Sequence, residues 1–216
     1  MTRMRDLFDP QAGEALPLAP GAVVLRDFAQ DAAPALLADV ARVTAQSPWR
    51  HLVTPGGFRM SVAMTNCGAL GWVSDRTGYR YDRIDPLNGA PWPAMPESFV
   101  RMAHDAAAAA GYAGFAPDAC LVNRYEPGAR LSLHQDRDEH DYGAPIVSVS
   151  LGLPAVFLFG GASRSDKTRR VSLLHGDAVV WGGLSRLHHH GVLPLADGEH
   201  PSTGRCRINL TFRKAG

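Results

Sequence analysis

Cysteine is scarce in this chain. Only three are present in 216 residues, Cys67, Cys120 and Cys206, and they lie far apart with no Cys-x-x-Cys pair. Disulfide frameworks need an even set of cysteines, and zinc ribbons need closely spaced pairs. The sequence therefore excludes both kinds of structural staple and favours a reducing compartment. We expect a cytoplasmic protein.

Long apolar runs are also missing. The longest, residues 151–162, is too short to cross a bilayer and is interrupted by Pro154. Near the N-terminus, Asp9, Glu14 and several prolines stand where a secretory signal needs an unbroken apolar region. The sequence therefore predicts a soluble protein with no membrane segment and no signal peptide.

An excess of one charge is absent as well. Lys and Arg total 22 against 21 Asp and Glu, which leaves a formal net charge of +1. A protein that coats nucleic acid presents a broad positive field, so this balance excludes that class and leaves room only for a local patch. The length suits one domain, and a hydrophobic content of 45% excludes a disordered or fibrous chain.

Short β-like segments are what the chain has in abundance. Residues 1–21 are predicted to be a loose lead-in and 22–25 a short strand. Helices are predicted over 31–46, capped by Asp31, and over 96–110, ended by Gly111. Further strands are predicted at 119–125, 146–151, 155–159, 170–174, 178–181, 187–192 and 205–213. This pattern indicates an α+β, mainly β fold with a sandwich or barrel of jelly-roll type.

A His-x-Asp pattern occurs twice, so the motif alone is weak evidence for a metal site. In a strand the outer two residues face the same side, as required for a pair of ligands to one ion. His175-Gly176-Asp177 lies between two apolar runs and contains Gly-Asp, which is typical of a hairpin turn. His134-Gln135-Asp136 follows a predicted strand and is the stronger candidate.

A third ligand is expected about fifty residues further on. Two histidines and one carboxylate hold non-haem Fe(II) and leave positions open for substrate and oxygen. The run His188-His189-His190 supplies the second histidine. Strand alternation places His188 and His190 on one face, and periodicity does not choose between them.

The last predicted strand has an unusual polar face. Arg207, Asn209, Thr211 and Arg213 alternate with Ile208, Leu210 and Phe212 along it. The apolar face must pack, so the polar face is expected to line a wet or ligand-filled space. Its two arginines lie roughly 20 Å apart in a straight strand and are suited to bracket an elongated dianion. Asn123 and Tyr125 alternate in the same way on an earlier strand.

Residues 49–92, called here the 49–92 segment, combine aromatics with arginines. Six of the chain's 17 aromatics fall in it, Trp49, Phe58, Trp72, Tyr79, Tyr81 and Trp92. Five arginines are interleaved with them, Arg50, Arg59, Arg76, Arg80 and Arg83. The segment is expected to be an irregular strand-and-loop cap, with its aromatics either in the core or exposed for binding.

These motifs together resemble the AlkB family of Fe(II)/2-oxoglutarate dioxygenases, and its bacterial members in particular. The resemblance rests on Asn123-Arg124-Tyr125 with Pro127-Gly128, His134-Gln135-Asp136, His190-Gly191 and the polar face from Arg207 to Arg213. The 49–92 segment resembles that family's nucleotide-recognition lid, including the runs at 54–57 and 64–68. The likeness extends from about residue 16 to residue 215.

The resemblance implies three sets of site residues. The iron ligands are His134, Asp136 and His190, which selects His190 over His188. The residues for 2-oxoglutarate are Asn123, Tyr125, Arg207, Asn209 and Arg213. The residues for the nucleic acid are Trp72, Tyr79, Arg130, Asp138 and Arg164.

Particular roles follow from the same resemblance. Arg207 pairs with the distal carboxylate of 2-oxoglutarate, and Arg213 lies at the end that chelates iron. Trp72 and His134 sandwich a flipped base whose exocyclic amine meets Asp138. Two departures from the family pattern are Arg130, where the family's best-known member has lysine, and His188-His189, which replace bulkier aromatics.

The implied fold is a double-stranded β-helix (jelly-roll, cupin-like) with flanking helices and an N-terminal lid. Residues 1–216 form one dioxygenase domain: 1–48 an extension and helix, 49–92 the lid, and 93–216 the catalytic core. The implied reaction uses Fe(II), 2-oxoglutarate and O2 to demethylate N1-methyladenine and N3-methylcytosine, releasing formaldehyde, succinate and carbon dioxide. Single-stranded alkylated DNA is the expected partner and RNA a further candidate, with the enzyme a monomer. The alternatives are a hydroxylase for another substrate and a catalytically silent nucleic-acid-binding module.

Overall fold

The computed structural model describes residues 13–216, which form strands, two helices and one 3-10 turn. The helices are α1 (Ala33–Gln46) and α2 (Glu97–Ala109), and the turn is Gly183–Ser185. The strands are β1 (Ala15–Ala19), β2 (Ala22–Leu25), β3 (Ala63–Gly68), β4 (Gly71–Asp75), β5 (Gly78–Asp82), β6 (Ala119–Tyr125), β7 (Leu131–His134), β8 (Ile146–Gly152), β9 (Ala155–Phe159), β10 (Arg169–Leu173), β11 (Ala178–Trp181), β12 (His190–Val192) and β13 (Arg207–Arg213). No helix within 13–216 is both long and apolar enough to span a membrane.

Two antiparallel sheets form the jelly roll. The major sheet has the order β1-β2-β11-β8-β13-β6-β3, and the minor sheet has the order β10-β9-β12-β7. A core cluster with Ile146, Phe157 and Trp181 joins strands of both sheets. The fold is therefore α+β and mainly β, a double-stranded β-helix as expected.

The two helices cover the outer face of the major sheet. Leu36 of α1 and Phe99 of α2 share a second core cluster with Leu210 and Phe212 of β13. Because successive side chains of a strand point to opposite faces, the polar residues of β13 point inward, toward the minor sheet. All seven residues of β13 are buried, so its polar face is enclosed within the protein.

The predicted elements differ from the structure mainly at their ends. Helix α1 begins at Ala33 without a side-chain cap, so the prediction that Asp31 caps it was wrong. The predicted lead-in 1–21 contains strand β1, and its residues 1–12 lie outside the described part of the chain. The strand predicted at 187–192 starts only at His190, because the chain first makes the 3-10 turn.

The 49–92 segment is partly built into the jelly roll. Strand β3 lies at the edge of the major sheet beside β6, whereas β4 and β5 form a separate hairpin. Gly71 of β4 lies against Trp92, and a Cβ there would come within 2.3 Å of the indole. The buried Trp92 is thus a core residue, and its packing requires glycine at that position.

The second His-x-Asp segment forms a turn between sheets. Gly176 has φ +90°, a conformation that glycine adopts without strain. The flanking strands do not pair with each other: β10 pairs with β9, and β11 pairs with β8 and β2. The prediction of a turn was right, but the prediction of a hairpin was wrong.

Candidate metal and co-substrate site

Three predicted metal ligands meet at one end of the minor sheet. His134 ends β7 and His190 begins β12, and the two residues are direct cross-strand partners. Asp136 follows two residues after β7, with its carboxylate 3.6 Å from Nε2 of His134 and 3.7 Å from Nε2 of His190. The three groups can hold one metal ion, since their ligand atoms lie within 4.8 Å of one another. Long-range strand pairing selects His190 from the three consecutive histidines.

Both imidazoles are oriented by a backbone carbonyl. Nδ1 of His134 lies 2.8 Å from the oxygen of Ser132, and Nδ1 of His190 lies 3.1 Å from the oxygen of His188. A carbonyl only accepts, so Nδ1 donates in each ring and the lone pair of Nε2 faces the centre of the group. Burial and the neighbouring His134 lower the pKa of His190 to about 4, which keeps this imidazole neutral.

Asp136 is ionised although it is buried. Burial alone raises its pKa, but the charge of Arg213, with further contributions from the neighbouring His190 and His134, outweighs burial and lowers the pKa below the usual range. Arg213 donates to Oδ2 through Nη2 at 2.7 Å and through Nε at 3.0 Å. Two neutral imidazoles and one carboxylate are the ligand set that binds Fe(II) and leaves coordination positions open.

Glu139 and Arg186 support this group and were missed by the sequence analysis. The carboxylate of Glu139 contacts Arg213 at 3.3 Å and Arg186 at 3.1 Å. Arg186 also donates to the backbone oxygen of Asp136 at 2.8 Å. The sequence from Asp136 to Asp141 is rich in acidic residues and is typical of a solvated loop. No local feature of the sequence distinguishes Glu139 from its acidic neighbours.

A buried polar cluster on β6, β8 and β13 lies beside His134, Asp136 and His190, which are called here the metal group. The guanidinium of Arg207, whose residue is 1% exposed, lies 5.0 Å above the ring of Tyr125 and donates to Oγ of Ser150 at 2.8 Å. Nε and Nη1 of Arg207 and Oδ1 of Asn123 have no partner. Buried polar atoms are almost always satisfied, so these three point to a missing polar ligand.

A carboxylate ligand fits that cluster. A guanidinium binds a carboxylate through charge-assisted hydrogen bonds, and Nε and Nη1 of Arg207 supply unpaired donors. Asn209 donates to Oγ of Ser148 at 2.8 Å and to the oxygen of Val149 at 2.9 Å, and it accepts from Thr211 at 2.9 Å. The residues present therefore suit an anionic co-substrate lying between Arg207 and the metal group. Arg213 differs from the expectation of two free arginines, because it is already paired with Asp136.

The indole of Trp72 contacts the loop that follows Asp136. Its Nε1 donates to Asp138 at 2.8 Å, and its ring stacks on Tyr79 with centroids 5.6 Å apart. The side chain of Asn66 holds the backbone of Trp72 through two hydrogen bonds of 3.0 Å. The expected partners Trp72 and Asp138 are thus brought together, and one face of the indole is stacked on Tyr79. The sandwich of a base between Trp72 and His134 stays a prediction.

The remaining predicted residues lie at the surface. Tyr79 is 47% exposed, and Arg130 and Arg164 are exposed, the latter in the loop between β9 and β10. His188, one of the two departures from the family pattern, packs on Phe159 with ring centroids 5.6 Å apart. The backbone N–H of His189 donates to the oxygen of Gly161 at 2.9 Å. These two histidines therefore contact β9 and the loop that follows it.

A jelly roll that gathers two imidazoles, a carboxylate and a buried arginine with two unpaired nitrogens defines a non-haem Fe(II) oxygenase that uses a dicarboxylate co-substrate. In agreement, residues 21–213 match the model of the 2OG-Fe(II) oxygenase superfamily, and the chain belongs to that family. It is an Fe(II)- and 2-oxoglutarate-dependent dioxygenase, with O2 as the second co-substrate.

Two AlkB proteins and one solved structure are similar to this chain over most of its length. The chain is 64% identical over 212 residues to alpha-ketoglutarate-dependent dioxygenase AlkB of Salmonella typhimurium, covering 98% of each protein. It is 61% identical over 213 residues to the protein of the same name from Escherichia coli K12, covering 99% of each. The solved structure of OsALKBH1 is 31% identical, with a TM-score of 0.78 over 91% of this chain and 99% of that one.

Proposed function

We propose that this enzyme repairs alkylated nucleic acid by oxidative demethylation of N1-methyladenine and N3-methylcytosine. The observation that carries the proposal is the contact of Trp72 with Asp138, two residues after Asp136. A flat aromatic surface and an anionic acceptor lie beside the metal group, as a cationic base requires. The relatives named AlkB, at 64% and 61% identity over nearly the whole chain, support it.

His134, Asp136 and His190 hold the iron, through Nε2 of each imidazole and the carboxylate. Arg207 binds the distal carboxylate of 2-oxoglutarate, with Tyr125 and Asn209 fixing the guanidinium and its surroundings. Asn123 and Arg213 line the end nearer the iron. When bound, Fe(II), 2-oxoglutarate and O2 supply the oxidation of the N-methyl group, with succinate, carbon dioxide and formaldehyde as products.

The enzyme recognises its target base after the base has left the base stack of the nucleic acid. An enzyme that acts on a ring nitrogen must extrude the base, which costs least in single-stranded nucleic acid. We therefore infer a preference for single-stranded DNA, with RNA accepted if the sugar is not read. Stacking on Trp72 contributes ~1–3 kcal/mol and tolerates any base. Methylation at N1 of adenine or N3 of cytosine makes the base cationic, and Asp138 favours that charge.

We expect few contacts between the protein and the sugar-phosphate backbone of the nucleic acid. Tyr79, Arg130 and Arg164 are exposed and serve as the phosphate-facing residues. Each neutralised phosphate on a single strand contributes about −0.7 to the slope of log affinity against log salt. With a net charge of +1 and two such arginines, we expect a slope of about −1.4 or shallower.

The same proposal covers organisation and location. Residues 49–92 act as the nucleotide-recognition lid, residues 93–216 as the catalytic core, and residues 1–48 as an extension with a helix, within one domain. The enzyme acts as a monomer in the cytoplasm. The cysteines support a reducing compartment, since Cys67, Cys120 and Cys206 are all free thiols.

The test is turnover of a single-stranded oligonucleotide that carries one N1-methyladenine, in DNA and RNA form side by side. With Fe(II), ascorbate and 2-oxoglutarate, we expect formaldehyde and succinate in equal amounts. Binding of the oligonucleotide without iron-dependent turnover identifies a silent binding module instead. Succinate release only with some other substrate identifies a different hydroxylase.

Trp72→Ala separates base reading from general activity. Loss of the stacking surface should lower kcat/KM for the methylated oligonucleotide by about 5- to 150-fold, the rate equivalent of ~1–3 kcal/mol. Unchanged demethylation by this variant shows that the target base does not stack on Trp72.

A further inference from the structure

Glu139 is the point where the 49–92 segment meets the metal group. Its carboxylate is buried and is contacted from three elements of the fold. The hydroxyl of Tyr81, on β5, donates to Oε1 at 2.7 Å. Nε of Arg213, on β13, lies 3.3 Å from the same oxygen, and Nη2 of Arg186 donates to Oε2 at 3.1 Å. One side chain therefore joins the β4–β5 hairpin to two buried arginines.

The same two arginines hold Asp136. Arg213 donates to its carboxylate, and Arg186 donates to its backbone oxygen. Two buried carboxylates and two buried guanidiniums thus form one charge-balanced cluster around a metal-ligating residue. Breaking a buried ion pair leaves an uncompensated charge, so the arrangement of such a cluster is strongly constrained. A shift of Glu139 must be passed on to Arg213 and Arg186, and through them to Asp136.

The β4–β5 hairpin is fastened to consecutive residues after Asp136. Trp72 and Tyr81 are direct partners across the hairpin, so their side chains lie on the same face. Trp72 contacts Asp138, and Tyr81 contacts Glu139. Trp72, on which the base is proposed to stack, and Tyr81, which links to the metal group, therefore belong to one pair of hydrogen-bonded strands.

A base seated on Trp72 adds a contact to this arrangement. Oδ2 of Asp138 accepts the indole N–H of Trp72, and the second oxygen of the carboxylate, Oδ1, can accept the exocyclic amine of the base. A base that contacts both the indole face and this carboxylate fixes the hairpin relative to residues 138 and 139. Tyr81 lies directly opposite Trp72 and extends that restraint to Glu139.

We infer that Tyr81 and Glu139 are positioning residues that couple base occupancy at Trp72 to the orientation of Arg213 and Asp136, and so to the affinity for 2-oxoglutarate. This inference rests on the proposed function, because it requires a base at Trp72. Fixing the hairpin orders the arginine cluster before 2-oxoglutarate binds, so the coupling is positive. Coupling between sites is typically 5- to 150-fold and is reciprocal.

The test is equilibrium binding without turnover. 2-Oxoglutarate is titrated calorimetrically into protein loaded with Mn²⁺ under argon, with and without the methylated single-stranded oligonucleotide. In the unaltered protein, the oligonucleotide should tighten 2-oxoglutarate binding by about fivefold or more. In Tyr81→Phe the gain should fall below about twofold, measured against the affinity of the same variant without oligonucleotide.

Tyr112→Phe is the matched control. It removes one tyrosine hydroxyl that donates to the oxygen of Gly21 at 2.7 Å, next to β2 and away from the metal group. This variant should keep the full coupling. Loss of coupling in Tyr112→Phe as well attributes the effect to general destabilisation and overturns the inference.

Further outcomes separate the inference from the proposed function. A protein that demethylates the oligonucleotide but shows no coupling, or keeps it in Tyr81→Phe, retains the function and loses the inference. A protein that binds but never demethylates loses both. Amide hydrogen exchange of the unaltered protein gives an independent measure that needs no variant. The oligonucleotide should slow exchange at residues 136–140, and protection confined to residues 49–92 contradicts the coupling.

Discussion

The two His-x-Asp segments of this chain have different surroundings and different chemistry. In His134-Gln135-Asp136, both outer side chains face His190. In the segment 175–177, the carboxylate of Asp177 is fully buried and both of its oxygens are used. Oδ1 accepts the backbone N–H of Asp27 at 3.1 Å, and Oδ2 accepts the guanidinium of Arg26 and the N–H of Leu174.

The histidines differ in which nitrogen is free. Nδ1 of His134 donates to a carbonyl, which leaves the lone pair of Nε2 for a metal. Nδ1 of His175 accepts the backbone N–H of Gly152 at 2.9 Å, so the neutral ring carries its proton on Nε2. The same three-residue pattern therefore offers a ligand in one place and a structural hydrogen bond in the other. The backbone group that meets Nδ1 decides the difference.

The largest expected contrast is in catalysis. His134→Ala removes a metal ligand, so demethylation should fall well beyond the ~10–100-fold that loss of an outer-shell partner costs. The half-exposed side chain contributes little to the core, so the melting temperature should change little. Formaldehyde release and thermal unfolding are measured together, with His175→Asn as the matched control. Activity above a tenth of the original in His134→Ala, or its loss in His175→Asn, contradicts the assignment.

The reverse contrast is expected in stability. Asp177→Ala leaves Arg26 buried without its counter-charge, which should lower the free energy of unfolding by about 3–5 kcal/mol. Urea denaturation measures the loss, and the folded fraction should still bind 2-oxoglutarate. Adding Arg26→Met to this variant should recover part of the loss. A decrease below about 1 kcal/mol shows that the pair does not hold this turn.

The residues that follow each segment also differ. Asp177 leads directly into the apolar strand β11, whereas Asp136 is followed by Asp138, which meets Trp72. Asp138→Asn keeps the shape and removes the charge, so kcat/KM for N1-methyladenine should fall about tenfold, the value of one charge-assisted hydrogen bond. Asp141→Asn, in the same acidic run, is the control and should leave kcat/KM unchanged. Equal losses in both variants indicate a general field effect and not a specific contact.

The smallest expected effect is a pH dependence of stability. Partial burial and the nearby His200 lower the pKa of His175 below its ordinary value of 6.5. The unfolded chain then binds more protons than the native state as pH falls below about 6.5, so stability is full above that pH and declines below it. His175→Asn keeps an acceptor for Gly152 and removes the titration.

The comparison of melting temperatures at about pH 8 and about pH 5.5 tests this. The variant should lose less stability between the two values than the unaltered protein. An identical decrease in both proteins shows that His175 does not contribute. His200, whose ring stacks on His175 with centroids 4.5 Å apart, remains present in both.

Much of the site follows from patterns within single strands. The alternation of polar and apolar residues from Arg207 to Arg213 predicts an enclosed polar face, and the structure buries that face between the two sheets. The spacing of His134 and Asp136 predicts a pair of ligands on one side. These inferences hold because a period of two is a local property of the backbone. The boundary of α1 was less predictable, because Asp31 is a good cap by type but is not used as one.

Other parts of the site depend on contacts between distant segments. Glu139 looks like any acid of a surface loop until Tyr81 and Arg186, 58 and 47 residues away, close around it. Residue spacing in the sequence likewise does not predict that Trp72 stacks on Tyr79 or that Arg213 pairs with Asp136.

Composition and strand patterns alone show that this chain has few cysteines, almost no net charge, a jelly-roll pattern of short strands and the side chains for one metal group. They favour 134–136 over 175–177 as the metal-binding segment, but spacing does not choose between His188 and His190. The folded chain brings His134, Asp136 and His190 together and places 175–177 in a turn. Side-chain direction is set within a strand, whereas the partner of an imidazole Nδ1 or of a buried carboxylate is set by segments up to 151 residues away.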